Sequence, residues 1–161
     1  MMKQRLDYMR MSPDGMKTVG ATLHYARDCG LPAMWLELVF LRVSQINGCV
    51  YCIDVHTRDL IKRGIIPEKL SLIPVWPEVP ELFSPEEYAA LAWAEAVTNV
   101  SLTGVPDLAY QAASAVFEPK ALADLTIAVC AMNTFNRMAV AFRAVPPSVR
   151  HLPTATADAL T

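Results

Sequence analysis

Charge is scarce in this chain of 161 residues, and neither sign dominates. Charged residues make up 19% of the sequence and the formal net charge is −2, so no basic field is present that would bind nucleic acid. The N-terminal segment MMKQRLDYMR lacks the apolar stretch of a secretory signal, so we expect a cytoplasmic protein. The most apolar late run, Ala121 to Met132, is interrupted by Asp124 and is too short to cross a bilayer, so no membrane partner is expected.

Cysteine is also scarce, with residues at positions 29, 49, 52 and 130. A reducing cytoplasm does not favour structural disulfides, so a C-x-x-C pair such as Cys49 and Cys52 is more often redox-active or metal-binding. Cys130 has apolar flanks, which predict that it lies in the core. The sequence therefore directs attention to Cys49 and Cys52.

No segment has the pattern of a β-strand, and proline or glycine marks the breaks, so the sequence predicts an all-α fold of about six helices. The predicted helices are 13–29, 32–46, 49–63, 85–99, 106–117 and 119–142, with a further short turn at 67–73. Pro74, Pro77 and Pro80 exclude a helix across the connector between them.

The domain organisation follows from the same pattern. We expect one helical domain over residues 1–145 and an extended arm or disordered tail over residues 146–161. Hydrophobic residues make up 53% of the chain, above the usual share for a soluble domain, which predicts a further face buried in a homo-oligomer.

The most informative segment is NGCVYCIDVHTRD, residues 47–59. Cys49, Cys52 and His56 have the spacing C-x-x-C-x-x-x-H, directly after an Asn-Gly break. In a helix that begins near Cys49 they share one face, because positions i, i+3 and i+7 lie within an arc of roughly 60°. The helix dipole favours negative charge at this end, so the arrangement suits thiolate chemistry.

Thiol acidity alone does not explain catalysis by such a pair. A free thiol is only about 3% ionised at pH 7, and a pKa of roughly 6.5 would raise that fraction about 25-fold. Nucleophilicity falls with the pKa and cancels most of this gain, so the net advantage is only a few-fold. The site therefore also needs a group that delivers a proton to the leaving oxygen, and His56 lies one turn after Cys52.

Glu37 is the second informative residue, because it lies in the apolar segment AMWLELVFLRV. Its helix neighbours Ala33, Met34, Phe40 and Leu41 cannot pair with a carboxylate. Two interpretations remain open: an exposed Glu on a polar stripe, or a base that faces the thiols through the tertiary fold.

The pattern resembles the AhpD-like alkylhydroperoxidases of the carboxymuconolactone decarboxylase superfamily. Their signature is a Glu, eleven intervening residues and then C-x-x-C-x-x-x-H, and Glu37, Cys49, Cys52 and His56 match each of these spacings. The segments INGCVYCIDVHTRDL and NTFNRMAVAFR are also similar to the family, and the resemblance covers roughly residues 15–143. It implies an AhpD-like helical domain in an obligate homo-oligomer, a trimer or a hexamer.

The resemblance also implies roles for the four residues. Cys52 would be oxidised to sulfenic acid by a hydroperoxide, and Cys49 would supply a proton and then form a Cys49–Cys52 disulfide. Glu37 and His56 would form the proton relay. The reductant would be a dihydrolipoyl group or another thiol carrier, and no cofactor is expected. One position departs from the best-known members, which carry His directly before the second cysteine, where this chain has Tyr51.

Two other functions fit the same residues less well. Cys49, Cys52, His56 and Glu37 could bind zinc, although no second Cys/His pair follows. The fold could also serve as a non-peroxidase protein: a disulfide reductase, a lyase or a ligand-binding subunit. The complete C-x-x-C counts against a decarboxylase. On the last predicted helix, Arg137 either supports Glu37 or pairs elsewhere, and the role of Trp76 in the connector is open.

Overall fold

The computed structural model describes residues 3–150, and within that range the chain is all-α, without a strand. The α-helices are α1 (Tyr8–Met11), α2 (Pro13–Asp28), α3 (Ala33–Ile46), α4 (Val50–Lys62), α5 (Pro67–Leu72), α6 (Pro85–Thr98), α7 (Val100–Thr103), α8 (Asp107–Ser114), α9 (Pro119–Phe142) and α10 (Pro147–Arg150). The predicted helical fold is confirmed. The expected number of about six was too low, because α1, α7 and α10 are single turns of four residues that are too short to show a period.

No continuous helix crosses the connector with three prolines, as expected, and Val75 within it has non-helical φ and ψ of −125° and 27°. The connector forms two 3₁₀ segments, Ile73–Glu78 and Pro80–Leu82, each with proline in its first turn. Proline is tolerated there because the first backbone N–H groups of a helix have no intrahelical acceptor.

Helix α6 starts where the sequence signals place it. The Ser84 hydroxyl accepts a hydrogen bond from the Glu87 backbone N–H at 3.2 Å, and the Glu87 carboxylate accepts one from the Ser84 N–H at 2.8 Å. This reciprocal pair satisfies two donors that the helix start leaves unpaired. Ser12 also occupies the cap position of α2, but its side chain makes no capping bond.

Helix α3 is the centre of the fold and packs against α4, α6 and α9, while α2 lies along α9. It is buried on most of its circumference, because AMWLELVFLRVSQI offers almost no polar stripe. Val39, Phe40 and Val43 are completely buried. This central helix brings residues from the first and last parts of the chain to one site.

Helix α9 and the residues after it, Pro119–Arg150, are long and apolar enough to cross a membrane, by length and composition alone. The run Ala121 to Met132, which the sequence analysis considered too short to cross a bilayer, is thus part of a longer apolar helix. In this fold α9 contacts α2, α3 and α6 and contributes nine buried residues. A core helix can have the same length and apolar composition as a membrane span.

The connector Trp76 is a core residue. It is 4% exposed, and its ring packs edge-on against Tyr88 with the centroids 4.4 Å apart. Its indole N–H donates to Glu95 Oε1 at 2.7 Å, and Arg42 Nε donates to the same oxygen at 2.6 Å. The connector is thus fastened to α6 and α3.

The start of the predicted C-terminal arm is helical and packed. Helix α10 contacts α4, and the Ser148 backbone N–H donates to Asp54 Oδ2 at 2.9 Å. The rest of the predicted arm, residues 151–161, lies outside the described residues.

Candidate active site

The turn between α3 and α4 positions the first thiol. Gly48 has φ +64°, a left-handed conformation that glycine adopts without steric cost. The chain therefore reverses sharply, and the Cys49 backbone N–H donates to the Ser44 carbonyl at 2.9 Å. Cys49 is the cap residue of α4, and its sulfur accepts from the Cys52 N–H at 3.4 Å.

The two thiols of the motif are in contact. Both are free, their sulfur atoms lie 2.7 Å apart, and the residues are only 1% and 5% exposed. A disulfide requires about 2.05 Å, so a small movement would close the bond. Among the described cysteines, Cys130 is exposed, so its predicted place in the core was wrong.

When the two thiols lose their first proton, the negative charge lies on Cys49. Hydrogen bonding from the Cys52 thiol lowers the pKa of Cys49 from 9.0 to about 7, with help from the Cys52 and Tyr51 backbone and the Asn136 amide, against the effect of burial. The same hydrogen bond, then burial and the neighbouring charge raise the pKa of Cys52 well above its ordinary value. Around pH 7 about half of the pairs therefore hold one proton and one negative charge, and the rest hold both protons.

Glu37 is buried, so its interpretation as an exposed residue was wrong. It is 3% exposed and His56 is 4% exposed, and Glu37 Oε2 lies 2.7 Å from His56 Nδ1. The buried Phe40 ring packs on the imidazole with the centroids 5.2 Å apart. Among the described residues no hydrogen bond joins either sulfur directly to this pair.

The cation beside Glu37 is Arg27 of α2, which the sequence did not indicate. Arg27 Nη2 lies 3.4 Å from Glu37 Oε1. Arg137 instead donates to the Asn133 carbonyl and to Asn133 Oδ1 at 2.9 and 2.7 Å, so its proposed support of Glu37 was wrong. No local signal identified Arg27, because the pairing depends on how α2 packs.

The last long helix contributes Asn136 to the site. This completely buried residue donates from Nδ2 to Ser44 Oγ at 3.0 Å and accepts at Oδ1 from Asn47 Nδ2 at 2.9 Å. It therefore ties both ends of the turn before Cys49 to α9. Its amide also helps to lower the pKa of Cys49.

A group that could hold a metal ion differs from the one expected. Glu37, His56 and Asp59 have ligand atoms within 4.8 Å of one another, and among the described residues no such group includes a cysteine. Glu37 is also paired with Arg27, and Asp59 Oδ1 accepts from Lys62 at 3.1 Å. These cations compete with a metal ion, so the geometry favours an acid–base network.

Tyr8 and Tyr51 complete the surroundings of the thiols. Tyr51 is partly buried against the core cluster that contains Tyr8, Cys49 and Cys52. A cavity of about 260 Å³ opens beside Cys49, and its lining includes Tyr51 and Arg143. The sequence did not single out Tyr8, since it lies 41 positions before Cys49 with no motif to join them.

The fold and this site have counterparts among known proteins. The profile of the Carboxymuconolactone decarboxylase family matches residues 13–96. The uncharacterized protein YdfG of Bacillus subtilis is 34% identical over 140 residues, which are 87% of this chain and 95% of that protein. This chain belongs to the carboxymuconolactone decarboxylase family.

Two further relatives of this family member are AhpD-like. A protein of unknown function from Agrobacterium tumefaciens, described as a candidate antioxidant defence protein AhpD, has a structure with a TM-score of 0.87 and 37% identity, covering 90% of this chain and 99% of that one. The alkyl hydroperoxide reductase AhpD of Koribacter versatilis is 37% identical over 51 residues, 32% of this chain and 26% of that protein. The resemblance seen in the sequence is confirmed.

Proposed function

We propose that this family member is an antioxidant dithiol peroxidase that reduces hydroperoxides through a Cys49–Cys52 disulfide. One observation carries the proposal: two free, buried thiols in contact, one of them with a pKa of about 7. Thiolate is the reactive form, and a pKa of about 7 makes about half of the pairs thiolate at pH 7, against about 3% of an ordinary thiol. The AhpD-like relatives support the same reaction class.

The first step assigns a role to each sulfur. The Cys49 thiolate takes the proton of the Cys52 thiol across 2.7 Å, which makes Cys52 the nucleophile. The electron pair of Cys52 forms a bond to the terminal peroxide oxygen, and the O–O bond breaks. The sulfur becomes a sulfenic acid, and the other oxygen leaves as the alcohol with the proton that Cys49 held.

The second step closes the disulfide. Cys49, again a thiolate, attacks the sulfur of the Cys52 sulfenic acid and displaces hydroxide, which becomes water when it is protonated. In total two thiols are oxidised by two electrons, and the hydroperoxide is reduced to an alcohol and water. The short sulfur–sulfur distance favours this closure over further oxidation.

The buried Glu37 and His56 would carry the second proton. His56 follows Cys52 by one helical turn, and Glu37 holds its Nδ1 at 2.7 Å. This contact fixes the orientation of the ring, and a water molecule would extend the path from His56 to the sulfurs. The pair would hold the proton that Cys49 releases and return it to the hydroxide.

The electron donor and the assembly are part of the proposal. A dihydrolipoyl group or another thiol carrier would reduce the disulfide by thiol exchange. Large apolar side chains are exposed at Leu102 (86%) and Leu108 (78%), which supports a homo-oligomer, a trimer or a hexamer. We propose a cytoplasmic location, where such donors keep thiols reduced.

The test is a peroxide titration of the reduced protein. One equivalent of tert-butyl hydroperoxide should consume the thiols of Cys49 and Cys52 together, as measured by alkylation and mass spectrometry. Cys49→Ser removes both the base and the resolving thiol, so Cys52 should react more slowly and stop at the sulfenic acid. Cys52→Ser should abolish turnover. Cys130→Ser, at an exposed cysteine, is the control and should behave as the wild type. Intact Cys49 and Cys52 thiols after peroxide would refute the proposal.

A further inference from the structure

We propose that the hydroxyl of Tyr8 donates a hydrogen bond to the leaving oxygen of the hydroperoxide as its O–O bond breaks. This inference rests on the proposed function and adds a catalytic residue from outside the C-x-x-C segment. It accounts for a buried phenol that the reaction described above does not use.

The N-terminal segment is fastened over the end of α9, which fixes the position of Tyr8. The Arg5 backbone N–H donates to the Phe142 carbonyl at 2.9 Å, and the Tyr8 ring stacks on the Phe142 ring with the centroids 5.5 Å apart. Tyr8 is 8% exposed and belongs to the same buried cluster as Cys49 and Cys52. The ring of Tyr8 is therefore held in the same core cluster as the thiols.

The Tyr8 hydroxyl is available to a ligand. Among the described residues it makes no hydrogen bond, whereas Tyr25 donates to Asp124 at 2.8 Å. Buried phenols normally have a partner. Within the described range, every fully buried side-chain nitrogen or oxygen atom has a hydrogen-bond partner. The Tyr8 oxygen has none, so it must be accessible to solvent. It can therefore bond to a small molecule that enters from solvent.

The surroundings of Tyr8 keep its phenol protonated. Burial first, and then the nearby ionisable Tyr51, Cys52 and Cys49, raise the pKa of Tyr8 above its ordinary value. The hydroxyl therefore remains a donor at the pH where the thiol pair is charged.

The chemistry of the first step explains why a donor is needed there. While the Cys52 sulfur bonds to the terminal oxygen, the electron pair of the O–O bond moves to the oxygen that bears the alkyl group. A preorganised O–H donor stabilises this growing charge in a site with little water. The alcohol takes its proton from the thiol pair, so Tyr8 is unchanged at the end.

The test compares Tyr8→Phe with wild type against two oxidants, following thiol loss by rapid mixing. Phenylalanine keeps the ring that stacks on Phe142 and removes only the hydroxyl. With tert-butyl hydroperoxide the variant should react about 100-fold more slowly, the cost of one lost oxyanion donor. With a peroxy acid it should react within a few-fold of wild type, because a carboxylate leaves without such help.

Tyr25→Phe is the matched control, since it also removes one phenol hydroxyl but at the Asp124 contact. It should react with both oxidants at the wild-type rate. Equal slowing of Tyr8→Phe with both oxidants would indicate a merely structural role and overturn the inference, as would no slowing with either. A wild-type protein that reacts with neither oxidant would refute the proposed function, and this inference with it.

Discussion

The Glu37 carboxylate and the His56 imidazole meet at 2.7 Å, and both side chains are almost completely buried. The two residues belong to adjacent helices, α3 and α4, which pack along each other. A buried carboxylate needs partners, and Glu37 has two: His56 on one oxygen and Arg27 on the other. This contact links Glu37, for which the sequence left two interpretations open, to His56 of the C-x-x-C-x-x-x-H motif.

The first prediction concerns this contact. Glu37→Gln keeps the size of the side chain but removes a group that can take a proton. Oxidation of the thiols by tert-butyl hydroperoxide should slow by about 100-fold or more, the usual contribution of a positioned acid–base group. Stopped-flow measurement of thiol loss checks it. Glu95→Gln is the control, because Glu95 pairs with Arg42 and Trp76 instead. A rate within a few-fold of wild type would remove Glu37 from the relay.

A second prediction follows from the pKa of Cys49. Alkylation of Cys49 by iodoacetamide should rise with pH around a midpoint of about 7. Cys52→Ala removes the thiol that donates to it, the largest cause of the lowered pKa, so the midpoint should move toward 9.0. Mass spectrometry of the labelled protein measures both. An unchanged midpoint in the variant would show that the contact between the sulfurs is not the cause.

The same pair makes a third prediction, on stability. Folding lowers the pKa of Cys49. Its ionisation therefore contributes fully to the free energy of unfolding above the unfolded pKa of 9.0, and this contribution is lost as the pH falls to about 7. Folding raises the pKa of Cys52. Its protonated thiol therefore contributes fully to the free energy of unfolding below the unfolded pKa of 9.0, and this contribution is lost as the pH rises above 9.0.

The reduced protein should therefore gain unfolding free energy over a double Cys49→Ser, Cys52→Ser variant between pH 7 and 9. The slope should be at most about 1.4 kcal/mol per pH unit. Above that range the difference should shrink. Urea unfolding of both proteins under reducing conditions measures it, and a difference that does not vary with pH would contradict the assignment of the charge.

A fourth prediction concerns Asn136. Asn136→Ala leaves the Ser44 hydroxyl and the Asn47 amide without this partner, so the free energy of unfolding should fall by about 2–3 kcal/mol. The pKa of Cys49 should also rise, since the Asn136 amide helps to lower it. Thr134→Ala on the same helix is the control, because Thr134 is exposed and bonds only within α9. Loss of stability without a change in thiol titration would limit Asn136 to a structural role.

A fifth prediction separates the connector from the chemistry. Trp76→Phe removes the indole N–H that Glu95 accepts, so stability should fall by about 1–2 kcal/mol. The rate of thiol oxidation should stay at the wild-type value, because Trp76 packs in a second core cluster that contains neither thiol. A large change in the oxidation rate would mean that the connector acts on the site.

The sequence pattern was sufficient to predict features that depend on residues close together in the chain. The period of an α-helix places Cys49, Cys52 and His56 on one face, and the Asn-Gly break sets the start of that helix. Proline and glycine placed the long helices for the same reason. Single turns such as α1 have too few residues for a period, so the sequence did not reveal them.

The sequence by itself thus determined the helical fold, the three motif residues and the resemblance that made Glu37 their partner. Only the tertiary structure decided that Glu37 is buried and that Arg27 pairs with it. It also placed Tyr8 in the core cluster of the thiols and tied Asn136 to the turn before Cys49. It also decided which thiol is charged first, because the pKa of each depends on the sulfur contact and on Asn136 from a distant helix. Such contacts arise from the packing of helices far apart in the chain, and no local spacing encodes them.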